Sequence, residues 1–160
     1  MGVAARSREE VEERLAGLQV EYGSFPVNQT TVTLPHERFE RVSERHSESL
    51  VDAYVRVHND ADEVLQVRRD GDPGLPGTAA GREESLETGA CRAVRQETGV
   101  ACDIAGIDEV TIAGIRDEDA ADPATLYRLV VVFDGEHREG APAEAAEWGE
   151  PGPAEVPAYV

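Results

Sequence analysis

The 160-residue sequence contains no lysine at all, so its 15 basic side chains are all arginine. A soluble domain of ordinary composition would not be expected to lose one of its commonest residues entirely. Positive charge is also scarce overall: 33 Asp plus Glu stand against 15 Arg, a formal net charge of −18. That excess excludes a nucleic-acid binder and an anionic-membrane binder, whose polyanionic partners would be repelled. Cys91 and Cys102 are too few and too isolated for a disulfide framework or a zinc cluster, and read as small buried hydrophobes. No long apolar run is present. The longest strongly apolar stretch, Leu129 to Phe133, is far too short to span a bilayer. The N-terminal MGVAARSREE carries Arg and Glu where a signal peptide needs apolar residues, which points to a soluble, cytoplasmic protein. A hydrophobic fraction of 40% suffices for one buried core.

Carboxylates in such excess repel one another at low salt, whereas at about 1 M salt the Debye length falls to roughly 3 Å and the repulsion largely vanishes. The composition resembles that of haloarchaeal proteins, whose surfaces combine many carboxylates with few lysines. The expected consequence is a melting temperature that climbs with KCl into the molar range. Equal melting temperatures in ~0.1 M and ~2 M KCl would contradict this reading.

Along the chain, Val11, Leu15 and Leu18 form one apolar stripe on a charged helix over residues 7 to 20. Thr30 to Thr33 read as a short strand. Pro35 suits the first turn of a second helix with Phe39 and Val42 facing inward. From Val51 the period becomes two: Val51, Ala53, Val55 and Val57 alternate with Asp52, Tyr54, Arg56 and His58, as in a strand with one buried face. A turn over residues 58 to 62 leads into a second strand, making a hairpin. The turn-rich stretch 70 to 81 precedes a helix with Leu86, Ala90, Ala93 and Val94 at helical spacing, Ser85 as N-cap and Gly99 as terminator. Strands follow around 108 to 115 and 126 to 133, joined by the acidic loop RDEDAADPA, and the residues after Trp148 read as an irregular tail. This order predicts an α+β fold with a mixed sheet.

Residues 75 to 100 read LPGTAAGREESLETGACRAVRQETGV. This segment resembles the Nudix box, G-x5-E-x7-R-E-U-x-E-E-x-G-U with U aliphatic. Glu84, Arg92, Glu97 and Gly99 match fixed letters, and Val94 and Val100 match the aliphatic positions. Thr78, Ala93 and Gln96 replace a glycine and two glutamates. Leu75-Pro76-Gly77, the entering hairpin and the later Glu147-Trp148 sit in the order typical of Nudix domains. The resemblance implies an α/β/α sandwich over residues 50–160, preceded by an N-terminal helical extension over 1–49.

By that resemblance the chain is a hydrolase of nucleoside diphosphate derivatives that uses Mg²⁺ or Mn²⁺. Glutamates at i, i+3 and i+4 on one helical face converge on a point, and Mg²⁺ prefers such oxygen ligands. The family's arginine orients the glutamates and its first glutamate buttresses the arginine, which assigns Arg92 and Glu84 these roles beside Glu97. Here the metal positions hold Ala93, Gln96 and Glu97, with the Gln96 carbonyl and the Gly77 backbone oxygen as further donors, so metal binding is expected to be weak. Loss of a general base at Ala93 alone would cost about 10²- to 10⁴-fold in rate. The alternative is an inactive nucleotide-binding or regulatory module of the same fold.

Arg68 and Arg69 precede the glycine-rich loop, where a guanidinium could reach a pyrophosphate. Asp117, Glu118, Asp119 and Asp122 could supply a base from outside the box, although a run of solvated carboxylates needs no further cause in so acidic a chain. Glu144 and Glu147 are weaker metal-ligand candidates. His36, His46, His58 and His137 show no metal-ligand spacing, and Trp148 reads as core or edge packing. The implied partner is a small-molecule nucleotide derivative, and a homodimer is one assembly this reading allows.

Overall fold

The computed structural model describes residues 3–48, 50–69, 71–79, 85–120 and 125–150. Among these residues three helices, α1 (Val3–Tyr22), α2 (His36–Glu48) and α3 (Leu86–Thr98), accompany eight strands. The strands are β1 (Val27–Leu34), β2 (Val51–His58), β3 (Val64–Arg69), β4 (Asp72–Gly74), β5 (Gly77–Ala79), β6 (Ala101–Asp117), β7 (Leu126–Glu139) and β8 (Ala146–Gly149). Hydrogen-bonded neighbours follow the order β1-β6-β7-β2-β3-β4, with β5 on β2 and β8 on β3. A parallel β1/β6 pair and an antiparallel β2/β3 pair make the sheet mixed and the fold α+β. No described helix is long and apolar enough to cross a membrane.

The chain divides into two compact units. The first contains residues 1–52 and 109–131. Its α1 buries Val11 and Leu18 and leaves Leu15 half-buried, as the stripe predicts. Ser7 is buried as well, its Oγ accepting the Tyr127 backbone N–H at 3.0 Å. β1 runs parallel to β6 from Val27 opposite Val110 to Leu34 opposite Asp117. Pro35 ends that strand, and its carbonyl accepts the Phe39 N–H to start α2. Val42 and Phe39 then pack on Leu34 and Ile115.

Asp52 departs from the alternation. Expected on the outer face, it is 1% exposed and pairs with Arg128, which is 0% exposed on β7. Arg128 Nε and Nη2 donate to the two carboxylate oxygens, each at 3.1 Å. A fork of this kind is the geometry that lets two charges be desolvated together.

The second unit contains, of the described residues, those within 53–108 and 132–150. Within it β2 and β3 form the expected hairpin, His58 opposite Val64. Asn59 organises the turn, its Oδ1 accepting the Ala61 and Glu63 N–H groups. The core joins Val64, Leu75 and Val132, with Tyr54 packed against it. The stretch expected as pure turn contains the short strands β4 and β5, and β8 extends the sheet through Leu65 opposite Trp148. β6 and β7 also outrun their expected limits: β7 adds the largely polar run DGEHRE, and β6 adds ACDIAGI, where Asp103 and Gly106 break any regular apolar period.

Candidate functional site

α3 begins where the sequence places it. Ser85 Oγ accepts the Thr88 N–H at 3.1 Å, and Gly99 closes the helix in the left-handed region at φ 82°, its N–H bonded to the Arg95 carbonyl. Leu86, Gly89, Ala90, Ala93, Val94 and Thr98 are its buried residues. Arg92, Gln96 and Glu97 are exposed on the same helix. The box positions are therefore split: Gln96 and Glu97 meet solvent, while Ala93 is only 7% exposed. Ala93, one of the metal positions that the resemblance implies, thus belongs to the packing stripe of α3.

Gly77 and Glu97 are brought together across 20 residues. The Gly77 N–H donates to Glu97 Oε1 at 3.2 Å, tying β5 to the last turn of α3. β5 lies so close to β2 that a Cβ at Gly77 would collide with the Ala53 carbonyl oxygen and sit 2.7 Å from Tyr54 Cα. Both obstacles are backbone, so neither can swing away. Gly77→Ala is expected to displace β5 and lower the melting temperature, whereas Gly106→Ala, with nothing within 4 Å of the added methyl, serves as the tolerated control in the same melts. The sequence offers Gly77 as a carbonyl donor; its N–H role becomes visible only when β5 is seen docked on α3.

Arg68, proposed from sequence as a pyrophosphate contact, is engaged within its own unit. Its Nη2 donates to Glu147 Oε1 at 2.9 Å and its Nη1 to the Gly71 carbonyl at 2.9 Å. With Glu144, Ala145 and Ala146 these side chains line an open depression of about 120 Å³. Glu147 is thereby a partner of Arg68. The Arg69 side chain, Glu84 and Asp122 lie outside the described residues.

Asp117 is not the solvated loop carboxylate that composition suggests. It is buried at the end of β6, where Oδ2 lies 2.7 Å from His36 Nδ1 and Oδ1 accepts the Asp119 N–H at 2.9 Å. His36 Nε2 also meets Glu40 at 3.0 Å. The bond to Asp117 raises His36 above the ordinary histidine range, and the same bond, with the Asp119 N–H, holds Asp117 below the ordinary carboxylate range. Stability from the raised histidine is complete below its reference value of 6.5 and is lost as pH rises through the folded-state value. Stability from the depressed carboxylate is present above 3.8 and is lost as pH falls through the folded-state value. The pair contributes most between those two reference values. His36→Gln is therefore expected to lower the melting temperature more at about pH 5 than at about pH 8, and an equal loss at both would contradict the pairing.

Of the remaining candidates, the His46 side chain lies outside the described residues, and the two cysteines serve packing. Cys91 Sγ–H donates to the Cys102 carbonyl at 3.7 Å, and burial pushes both thiols up, Cys102 to about 12. Both are free thiols, Cys102 buried and Cys91 half-buried. His58 pairs with Asp134 at 3.2 Å, and His137 meets Trp148 edge-on at 5.1 Å between ring centres.

Among the described residues the donor set does not make a Mg²⁺ cage. Among the described residues no group of three or more His, Cys, Asp or Glu side chains could hold a metal ion. At the three metal positions that the resemblance implies, one carboxylate, already accepting a backbone N–H, stands beside a neutral amide and a buried methyl.

No family model matches the sequence, and no curated protein sequence matches it. Among solved structures, a Nudix hydrolase from Nitrosomonas europaea superposes with a TM-score of 0.50 at 15% identity, covering 65% of this chain and 58% of that one. The chain has the Nudix hydrolase fold. It spans under two thirds of that Nudix chain's length. Other solved structures align less well. An ADP-ribose pyrophosphatase from Streptococcus suis gives 0.46 at 14% identity, covering 62% of this chain and 72% of that one. The Nudix domain of NrtR from Shewanella oneidensis, complexed with ADP ribose, gives 0.44 at 19% identity, covering 64% and 73%.

Proposed function

We propose that the chain recognises nucleoside diphosphate derivatives and hydrolyses their pyrophosphate linkage slowly, through a Nudix site impaired in metal binding. The observation that carries this reading is the Gly77 to Glu97 bond, which joins the glycine loop to the one box carboxylate left in the metal triangle. In this reading residues 50–160 carry the site and residues 1–49 form the extension, in a salt-rich cytoplasm. Glu97 positions the loop, and Arg68 and Arg69, which precede that loop, supply the positive charge that a pyrophosphate needs. Arg68 must exchange Glu147 for the ligand if it takes part.

A second reading, a binding module without turnover, is favoured by the burial of Ala93, which removes the position of a second carboxylate from solvent. Both readings share one test. Calorimetric titration with ADP-ribose in ~2 M KCl is expected to show binding whose affinity changes less than about tenfold when Mg²⁺ is added, since most of the metal ligands are missing. No binding with or without the metal would overturn both.

A further inference from the structure

The first unit has a cavity of its own. About 120 Å³ in volume, it is lined by Val11, Ile112 and Tyr127 as apolar walls, by residues 29–31 of β1, and by Arg8 and Glu12 of α1. The Ser7 Oγ that accepts the Tyr127 N–H at 3.0 Å fastens α1 to β7 beside it, so the walls are held in place. Val11 is buried, whereas Arg8 and Glu12 keep more than half of their side chains open to solvent.

Helix support does not account well for this ion pair. Arg8 Nε donates to Glu12 Oε1 at 3.2 Å, and a basic residue four positions before an acidic one is the weaker order on a helix. Arg8 also lies over the Tyr127 ring, its Cζ 5.7 Å from the ring centre. Among the described residues the bond to Glu12 engages Nε and one carboxylate oxygen, which leaves the two Nη groups and Oε2 for solvent or a ligand. Donor nitrogens and an acceptor oxygen thus stand side by side at a cavity with apolar walls, the usual make-up of a small-molecule site.

We propose that this cavity binds a small aliphatic α-amino acid as its zwitterion, with the carboxylate on the Arg8 Nη groups, the ammonium on Glu12 and the side chain against Val11, Ile112 and Tyr127. Size and charge select this class. A cavity of about 150 Å³ takes benzene, so one of about 120 Å³ takes a slightly smaller molecule, and L-alanine is of that size. A phosphate meets Glu12 and a chain charge of −18, a simple amine meets Arg8, and a hydrocarbon strips water from the pair without replacing it. A ligand with both charges close together satisfies both members of the pair. The site is independent of the nucleotide reading, whose residues belong to the second unit.

The test is a nuclear magnetic resonance titration of the full chain in ~0.5 M KCl with L-alanine, and with propionate and ethylamine, each of which keeps one of its two charges. L-Alanine should bind in the millimolar range and shift the amide signals of residues 8–12, 29–31, 112 and 127. Propionate and ethylamine should each bind at least ~10-fold more weakly, because each forfeits a charge-assisted hydrogen bond. Arg8→Gln should lose L-alanine binding. Glu12→Gln should weaken L-alanine by ~10-fold or more yet bind propionate more tightly than wild type does, a reversal that loss of folding does not produce. No saturable L-alanine binding by wild type, shifts confined to other residues, or an unchanged preference in Glu12→Gln would overturn the proposal.

Discussion

Replacing Arg128 with Met is expected to cost about 3–5 kcal/mol, because the Asp52 carboxylate, 1% exposed, would lose the guanidinium that holds both its oxygens. For a chain of this size that corresponds to a fall of about 6–20 °C in melting temperature. The reverse change, Asp52→Leu, should be comparably damaging, since it takes from a buried guanidinium the carboxylate that balances its charge. The double variant should recover most of the loss. Replacing a buried ion pair by apolar residues of similar bulk is often neutral or stabilising, so the two single effects must fail to add. Additive losses would show that each side chain acts through other neighbours and that the pair itself matters little.

The larger effect concerns turnover. Loss of a general base costs about 10²- to 10⁴-fold, and that is the deficit expected for this chain against a Nudix hydrolase with an intact box. Restoring the box by substitution should succeed at one position and fail at the other. Gln96→Glu adds a carboxylate at an exposed site and should change stability by no more than about 0.5 kcal/mol while tightening Mg²⁺ binding. Ala93→Glu forces a larger, charged side chain into a position 7% exposed, and should lower stability by about 1–3 kcal/mol from overpacking alone. A double variant as stable as wild type would mean that position 93 opens to solvent when the site is in use.

The helix carrying the box was legible because its signals are local. Ser85, the apolar spacing from Leu86 to Val94, and Gly99 each act within a turn of their neighbours, and the structure shows each in that role. Ala93 illustrates the limit of that reading. Pattern alignment assigns it a metal position and periodicity assigns it the core, and packing decides for the core. Asp52 and Arg128 stand 76 residues apart, so alternation alone put the carboxylate on the wrong face. His36 and Asp117, 81 residues apart, were hidden for the same reason. The strands β4 and β5 are three residues long and leave no period to detect, yet β5 is what brings Gly77 to Glu97.

AMP formation from ADP-ribose in ~2 M KCl, with and without Mg²⁺, on wild type and Glu97→Ala, tests the impaired-site account most directly. The account predicts wild-type turnover far below the typical enzymatic rate of about 10 s⁻¹, with only a small rise on adding Mg²⁺. Mg²⁺-dependent turnover near that typical rate in wild type, abolished by Glu97→Ala, would contradict it.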